Sequence, residues 1–187
     1  IDGNATIDTA FGGVTLRNVS GFAKVKSNNG NITVTDITGT LTAESRFGAV
    51  RAERVRGATD VSTTNGNVTL NDVGAAKVKS SFGSVFVDGV GGPVEVWNAN
   101  GAIALSGLRG SGCQPVSLRT NFSSIKVALP EGADYAVSAR TSFGDVRSTL
   151  PVSTLGSAQG TLIGTIGRGG CKLELVNANG NITIEKD

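Results

Sequence analysis

The chain of 187 residues contains no histidine and no methionine. It therefore lacks the side chain most used as general base and metal ligand near neutral pH. It has no Cys-x-x-Cys pair and no Gly-Lys-Ser/Thr phosphate loop. No apolar run approaches the roughly 18–20 residues of a membrane-spanning helix. No stretch carries the period of a helix long enough to assign one. The net charge of +2 is small and dispersed, which argues against a nucleic-acid partner. No signal peptide is present. The chain opens on Ile1 already inside a repeat, so it reads as an excised mature fragment, compatible with the removal of an upstream leader or anchor.

What is abundant is glycine, 27 residues, with small apolar side chains in a hydrophobic share of 39%. The glycines are periodic. Gly12, Gly30, Gly48, Gly66, Gly83 and Gly101 are spaced by 18, 18, 18, 17 and 18 residues. Longer units follow with Phe122-Ser123 and Phe143-Gly144 at the turn, and a last copy ends in Asn179-Gly180. Around these turns the apolar residues fall into columns. One column holds Val14, Ile32, Val50, Val68, Val85 and Ile103; the next holds Leu16, Val34, Ala52, Leu70, Val87 and Leu105. Before the turn stand Ile7, Val25, Ala43, Val61, Val78 and Val96, continued by Leu118, Val137 and Leu173.

Alternation with period two marks a strand with one buried face. Each unit reads as two short strands whose thin apolar face is buried only when copies stack. The expected fold is all-β: one domain over 1–187, a parallel β-solenoid of roughly ten coils and about 18 residues per repeat. Antiparallel sandwiches and barrels also combine short strands with glycine turns, but they do not require one residue type every 18 positions. Crossovers between parallel strands are generally right-handed, so a right-handed coil is expected. Residues 154–170 fit no column. Other extra residues fall at the second turn, at 110–114 and 130–134.

The residue before the turn glycine runs Phe11, Asn29, Phe47, Asn65, Phe82, Asn100 and Phe122. Parity places it inward, which predicts a column of buried rings separated by asparagines. In the alternative, a true coil holds two units and sets Phe and Asn at opposite edges. Two positions earlier come Thr9, Ser27, Ser45, Thr63, Ser80, Asn98 and Thr120, also inward and in need of hydrogen bonds. Cys113 and Cys171 precede the first strand of their units. Two or three coils would hold them ~10–14 Å apart, beyond the ~7 Å limit of a disulfide. Two free, mostly buried thiols are expected unless the irregular unit is looped out of the stack.

Chemistry is sparse. Asn18, Asp36, Glu53, Asp72 and Asp88 mark the second turn without a Gly-Gly-x-Gly-x-Asp calcium motif, and Asx turns account for them. A glycoside hydrolase needs two carboxylates facing a cleft. Here the acids are scattered; outward columns could juxtapose two of them, for example Glu44 and Asp60, but nothing marks such a pair as buried. No catalytic residue, metal ligand or cofactor is expected. The one unusual outward feature is Trp97, flanked in its column by Lys79 and Arg119, with an outward Phe86 in the preceding unit. Such a patch suits sugar stacking or protein contact, and equally a plain cation–π packing.

The repeated Ser/Thr-x-Asn/Phe-Gly-x-Ile/Val turns, Ile125-Lys-Val-Ala-Leu-Pro130 and Ala139-Arg-Thr-Ser-Phe-Gly-Asp-Val146 carry a resemblance. So does the ending Gly164-Thr-Ile-Gly-Arg-Gly-Gly170 … Asn179-Gly-Asn-Ile-Thr-Ile184. Together they resemble a family of bacterial envelope domains that bear an adhesin label and no assigned function. The resemblance implies a parallel β-helix on an exported or membrane-anchored protein, with no catalytic motif to transfer. The Phe-Gly turns depart from the Asn-Gly that dominates that family. A non-enzymatic structural or adhesive scaffold is the expected role, with surface polysaccharide or an envelope protein as partner. A carbohydrate-binding module around Trp97 is the alternative, and a polysaccharide-acting enzyme the third.

Overall fold

The structure is a computed structural model that describes residues 1–109 and 113–187. The insertion at 110–112 lies outside the described residues. The strands are β1 (Ala5–Phe11), β2 (Val14–Val19), β3 (Ala23–Asn29), β4 (Ile32–Ile37), β5 (Leu41–Phe47) and β6 (Val50–Asn65). There follow β7 (Val68–Phe82), β8 (Val85–Val90), β9 (Val94–Asn100), β10 (Ile103–Leu108), β11 (Val116–Phe122) and β12 (Ile125–Leu129). The last are β13 (Tyr135–Phe143), β14 (Val146–Ser148), β15 (Ser153–Ala158), β16 (Thr161–Ile166), β17 (Cys171–Asn179) and β18 (Ile182–Lys186).

The expected stack forms. On the first face β1, β3, β5, the second half of β6, the second half of β7, β9 and β11 pair in parallel. On the second face β2, β4, the first halves of β6 and β7, β8, β10 and β12 do the same. The result is a β-solenoid of about seven turns in chain order. The columns are its core. Val14, Ile32, Val50, Val68, Val85 and Ile103 are buried, as are Leu16, Val34, Ala52, Leu70, Val87 and Leu105. Fully burying each such side chain is worth roughly 1.5–3 kcal/mol, and no single coil could supply that shelter.

After the seventh turn, space and sequence part. The next coil in the stack is the last one in the chain: β17 pairs with β11, and β18 with β12. Outside it lie β13 and β14. The estimate of roughly ten coils in sequence order is corrected accordingly. The third inward column also shifts by two residues late in the chain. Leu118 is followed in register by Leu175 and Ala139, not by Leu173 and Val137, which align with Val116. Residues 154–170, which fit no column, include β16 and most of β15. These two strands form an antiparallel hairpin against the outer edge of β13. Leu162, with Leu150 and Val152, packs onto the core there.

The out-of-order coil overturns the expectation of free thiols. β17 lies directly beside β11, so the cysteines are one strand spacing apart. Cys113 and Cys171 form a disulfide with a Cα–Cα distance of 5.4 Å.

Candidate functional site

The first edge of the solenoid is the turn after each first-face strand. Turn glycines such as Gly48, Gly66 and Gly101 have φ of 136°, 147° and 147°. Stacking adds a second demand. A Cβ on Gly66 would collide with the carbonyl oxygen of Gly48 one coil below. Ser123 is the exception in this column, holding φ 96° as a non-glycine, in a region that L side chains rarely visit.

Just inside this edge runs the polar column. Ser27, Ser45, Thr63, Ser80, Asn98, Thr120, Asn177 and Thr141 are buried, as expected. Several bond the turns: Asn98 donates to the Gly83 carbonyl at 2.8 Å, Thr141 to Gly180 at 2.9 Å and Asn177 to Ser123 at 2.6 Å. Asn31 accepts the amide of Ala49 at 2.8 Å, and Asn67 that of Ser84 at 2.9 Å. Where an asparagine follows the turn residue, at Asn31, Asn67 and Asn181, it ties its coil to a neighbouring one. The hydroxyls of Ser27, Thr63 and Ser80 have no protein partner.

The phenylalanines are not inward. Phe11, Phe47, Phe82, Phe122 and Phe143 are all exposed, which corrects the buried ring column. Alternation persists only to the Thr/Ser column; in β1, β3, β5 and β11 the last two residues are both exposed. The polar column closes the interior at that point, and the backbone then leaves the sheet through a positive-φ residue. A ring at this position has no core to enter.

Register reveals a stricter order than the chain shows. In space the position reads Phe11, Asn29, Phe47, Asn65, Phe82, Asn100 and Phe122, then Asn179 and Phe143. In sequence Phe122 and Phe143 belong to consecutive units. The inserted last coil places Asn179 between them and restores the alternation. Phe and Asn share one edge, so the two-edge alternative also falls.

The sequence-derived patch is placed as follows. Trp97 is 41% exposed on the first face. It pairs in register with Lys79 on one side and Arg119 on the other, each one strand spacing of ~4.8 Å away. Arg119 also lies 3.9 Å from Glu174. The Glu174 carboxyl is held below its usual range by its hydrogen bond from Lys172, with Arg119 contributing. Phe86 is exposed, but it stands on β8, between Thr69 and Ala104 on the second face. The structure therefore separates Phe86 from the Trp97 group. Glu44 pairs with Ser62, and Asp60 with Thr42 and Lys77. These two carboxylates face no shared cleft.

The second edge is polar. Asn18, Asp36 and Asp72 adopt φ of 55°, 60° and 56°. Arg54, rather than Glu53, takes that place in its coil at φ 54°, and Gly89, rather than Asp88, at φ 70°. A groove of about 780 Å³ runs here, lined by Asp36, Arg54, Asp72 and Arg109 among others. Four of its charges form two ion pairs. Arg54 donates to both carboxylate oxygens of Asp36, at 2.6 and 3.0 Å, and Arg109 pairs with Asp72. The hydrogen bond from Arg54 lowers the Asp36 pKa. Among the described residues no group of three or more His, Cys, Asp or Glu side chains is arranged to hold a metal ion.

A family model described as Toastrack DUF4097 matches residues 24–185. The chain belongs to the Toastrack family. That family is a domain of unknown function, so membership carries a fold and not an activity. No curated protein and no solved structure matches the chain. Within this Toastrack domain the candidate contact features are the Phe/Asn edge and the Trp97 group.

Proposed function

We propose that this Toastrack domain is a non-enzymatic scaffold of an exported or cell-envelope protein, presenting an adhesive surface to envelope polysaccharide or protein. The observation that carries the reading is the row of exposed phenylalanines along the first edge. Exposed apolar residues scattered singly are ordinary, whereas an aligned set marks a contact surface. The Cys113–Cys171 disulfide supports an oxidising compartment, since such bonds are rare where thiols are kept reduced. The lack of histidine, the commonest general base near neutral pH, favours a binding over a catalytic role. The test is a panel of envelope glycans and extracts presented to the immobilised domain. Retention without turnover is expected. Turnover of any polysaccharide overturns the non-enzymatic reading, and retention of nothing overturns the adhesive one.

A second reading, a carbohydrate-binding module, is favoured by the register of Lys79, Trp97 and Arg119. Under it, Trp97→Ala leaves the melting temperature unchanged and lowers sugar retention. If the cationic stems merely cover the ring, the same change costs ~1–2 kcal/mol of stability and leaves retention intact.

A further inference from the structure

Five phenyl rings stand in register along one edge, exposed by 77% at Phe11, 48% at Phe47, 51% at Phe82, 53% at Phe122 and 72% at Phe143. Each is separated from the next by one asparagine coil. The rings therefore recur every two strand spacings, ~9.6 Å, and span ~38 Å in all. We infer that this edge is a platform for one extended β-1,4-linked glucan chain, with a phenyl ring under every second sugar.

The argument is one of matching periods. In a β-1,4-linked glucan each sugar is turned over relative to the last, so a given face recurs every second residue. That disaccharide repeat is close to two strand spacings. The face of a β-glucose ring is lined by C–H bonds and lies flat on an aromatic ring. Between the rings, Asn29, Asn65, Asn100 and Asn179 offer amide donors and acceptors to the hydroxyls of the alternate sugars. An α-linked chain curls and loses register after one or two rings.

One further feature narrows the polymer. The positions on either side of the row are Ala, Gly, Ser, Thr and Asn, with Arg46 and Asp145 as the only charges. A neutral chain fits such an edge better than a uronate or phosphate polymer. The turn phenylalanines stand clear of the groove of about 540 Å³ beside the row, whose walls include Ala10, Asn28, Arg46 and Thr64, so the rings themselves present an exposed line to an extended chain. The Trp97 group lies on the first face, three residues before the row in β7, β9 and β11, and is not part of it.

This inference rests on the adhesive reading above and names the ligand class of its surface. The probe is microcrystalline cellulose in a pull-down with the intact domain, with granular starch as the α-linked contrast. The wild type is expected in the cellulose pellet and not in the starch pellet. Phe47→Ala/Phe82→Ala/Phe122→Ala should abolish retention, and Phe47→Tyr/Phe82→Tyr/Phe122→Tyr should keep it. If the triple alanine variant fails to fold, Phe11→Ala/Phe143→Ala shortens the row at its most exposed ends and should lower retention several-fold. Full retention by a folded alanine variant overturns the proposal, as does equal capture by starch. It is also overturned if the wild type is a dimer in solution that the same substitutions dissociate, since the row would then be a self-contact. A wild type that binds other envelope glycans or proteins but not cellulose leaves the adhesive reading standing and removes this one.

Discussion

Cys113 and Cys171 are 58 residues apart in the chain and 5.4 Å apart at Cα. The bond fastens the first residue of β17 to the segment entering β11, and so pins the inserted coil to the regular stack. A closed loop of this length removes roughly 4 kcal/mol of unfolded-state entropy in the chain-entropy account. Cys113→Ala/Cys171→Ala should lower stability by about that amount in denaturant melts. The amides of β17 and β18 should gain most in hydrogen exchange, and their unchanged protection would show that packing alone holds the coil.

Val68 is fully buried while Thr69, one residue on, faces outward between Arg51 and Phe86 in register. Val68→Asp should cost at least ~3 kcal/mol, because a buried unpaired charge has no compensation. Thr69→Asp should stay within ~0.5 kcal/mol of wild type, as for an ordinary surface change. Equal losses in thermal melts would mean that the inward and outward assignments of β7 are wrong.

Ser123 occupies the one left-handed turn position on the first edge that is not glycine. A strained non-glycine backbone of this kind costs on the order of 1–3 kcal/mol, partly offset by the greater unfolded-state freedom of glycine. Ser123→Gly should therefore stabilise the domain by about 1 kcal/mol. Chemical denaturation measures this directly, and a destabilised variant would show that the seryl side chain contributes more than its strain.

Asp36, Asp134 and Glu174 have pKa values lowered in the folded state. The principal causes are the Arg54 side-chain hydrogen bond, the Arg168 backbone amide and the Lys172 side-chain hydrogen bond. The folded protein thus binds fewer protons than the unfolded chain around their unfolded values of ~4. Their stabilising effect is complete above that range and is lost as pH falls through the folded values. The melting temperature should decline between about pH 5 and pH 2, and Asp36→Asn/Asp134→Asn should flatten that decline. These carboxylates are largely solvated, so the effect is small and should shrink further in salt. Superimposable acid curves for the variant and wild type would remove these pairs from the account.

The strands, the core columns and the stack were legible because burial at Val14, Ile32, Val50 and their equivalents repeats one physical demand many times. Trp97 between Lys79 and Arg119 was legible for the same reason, since equivalent positions in adjacent coils must be neighbours. The orientation of Phe47 was not. Period-two parity describes a strand only while it remains in the sheet, and the chain leaves the sheet at that residue. The order of the last coils was hidden as well, because the apolar pattern of Leu173, Leu175 and Ile182 fits any slot in the stack. Two signals did point to the true slot. Phe122 and Phe143 break an alternation that only Asn179 between them repairs, and the two cysteines can bond only if β17 lies beside β11.

The inserted coil also sets the timetable of assembly. The first seven turns can add one upon another as the chain leaves the ribosome, each new strand finding its neighbour already in place. The strands β13 and β14 emerge before β17 and β18, yet in the finished stack they pair with the sheets of the seventh turn only through them, beside a direct contact, the hydrogen bond from the Gln114 amide to the Tyr135 hydroxyl. Their final pairing is expected only once residues 171–186 have been made and have entered between. A chain cut short before Cys171 is therefore expected to lack both the eighth layer of the stack and the disulfide that pins it.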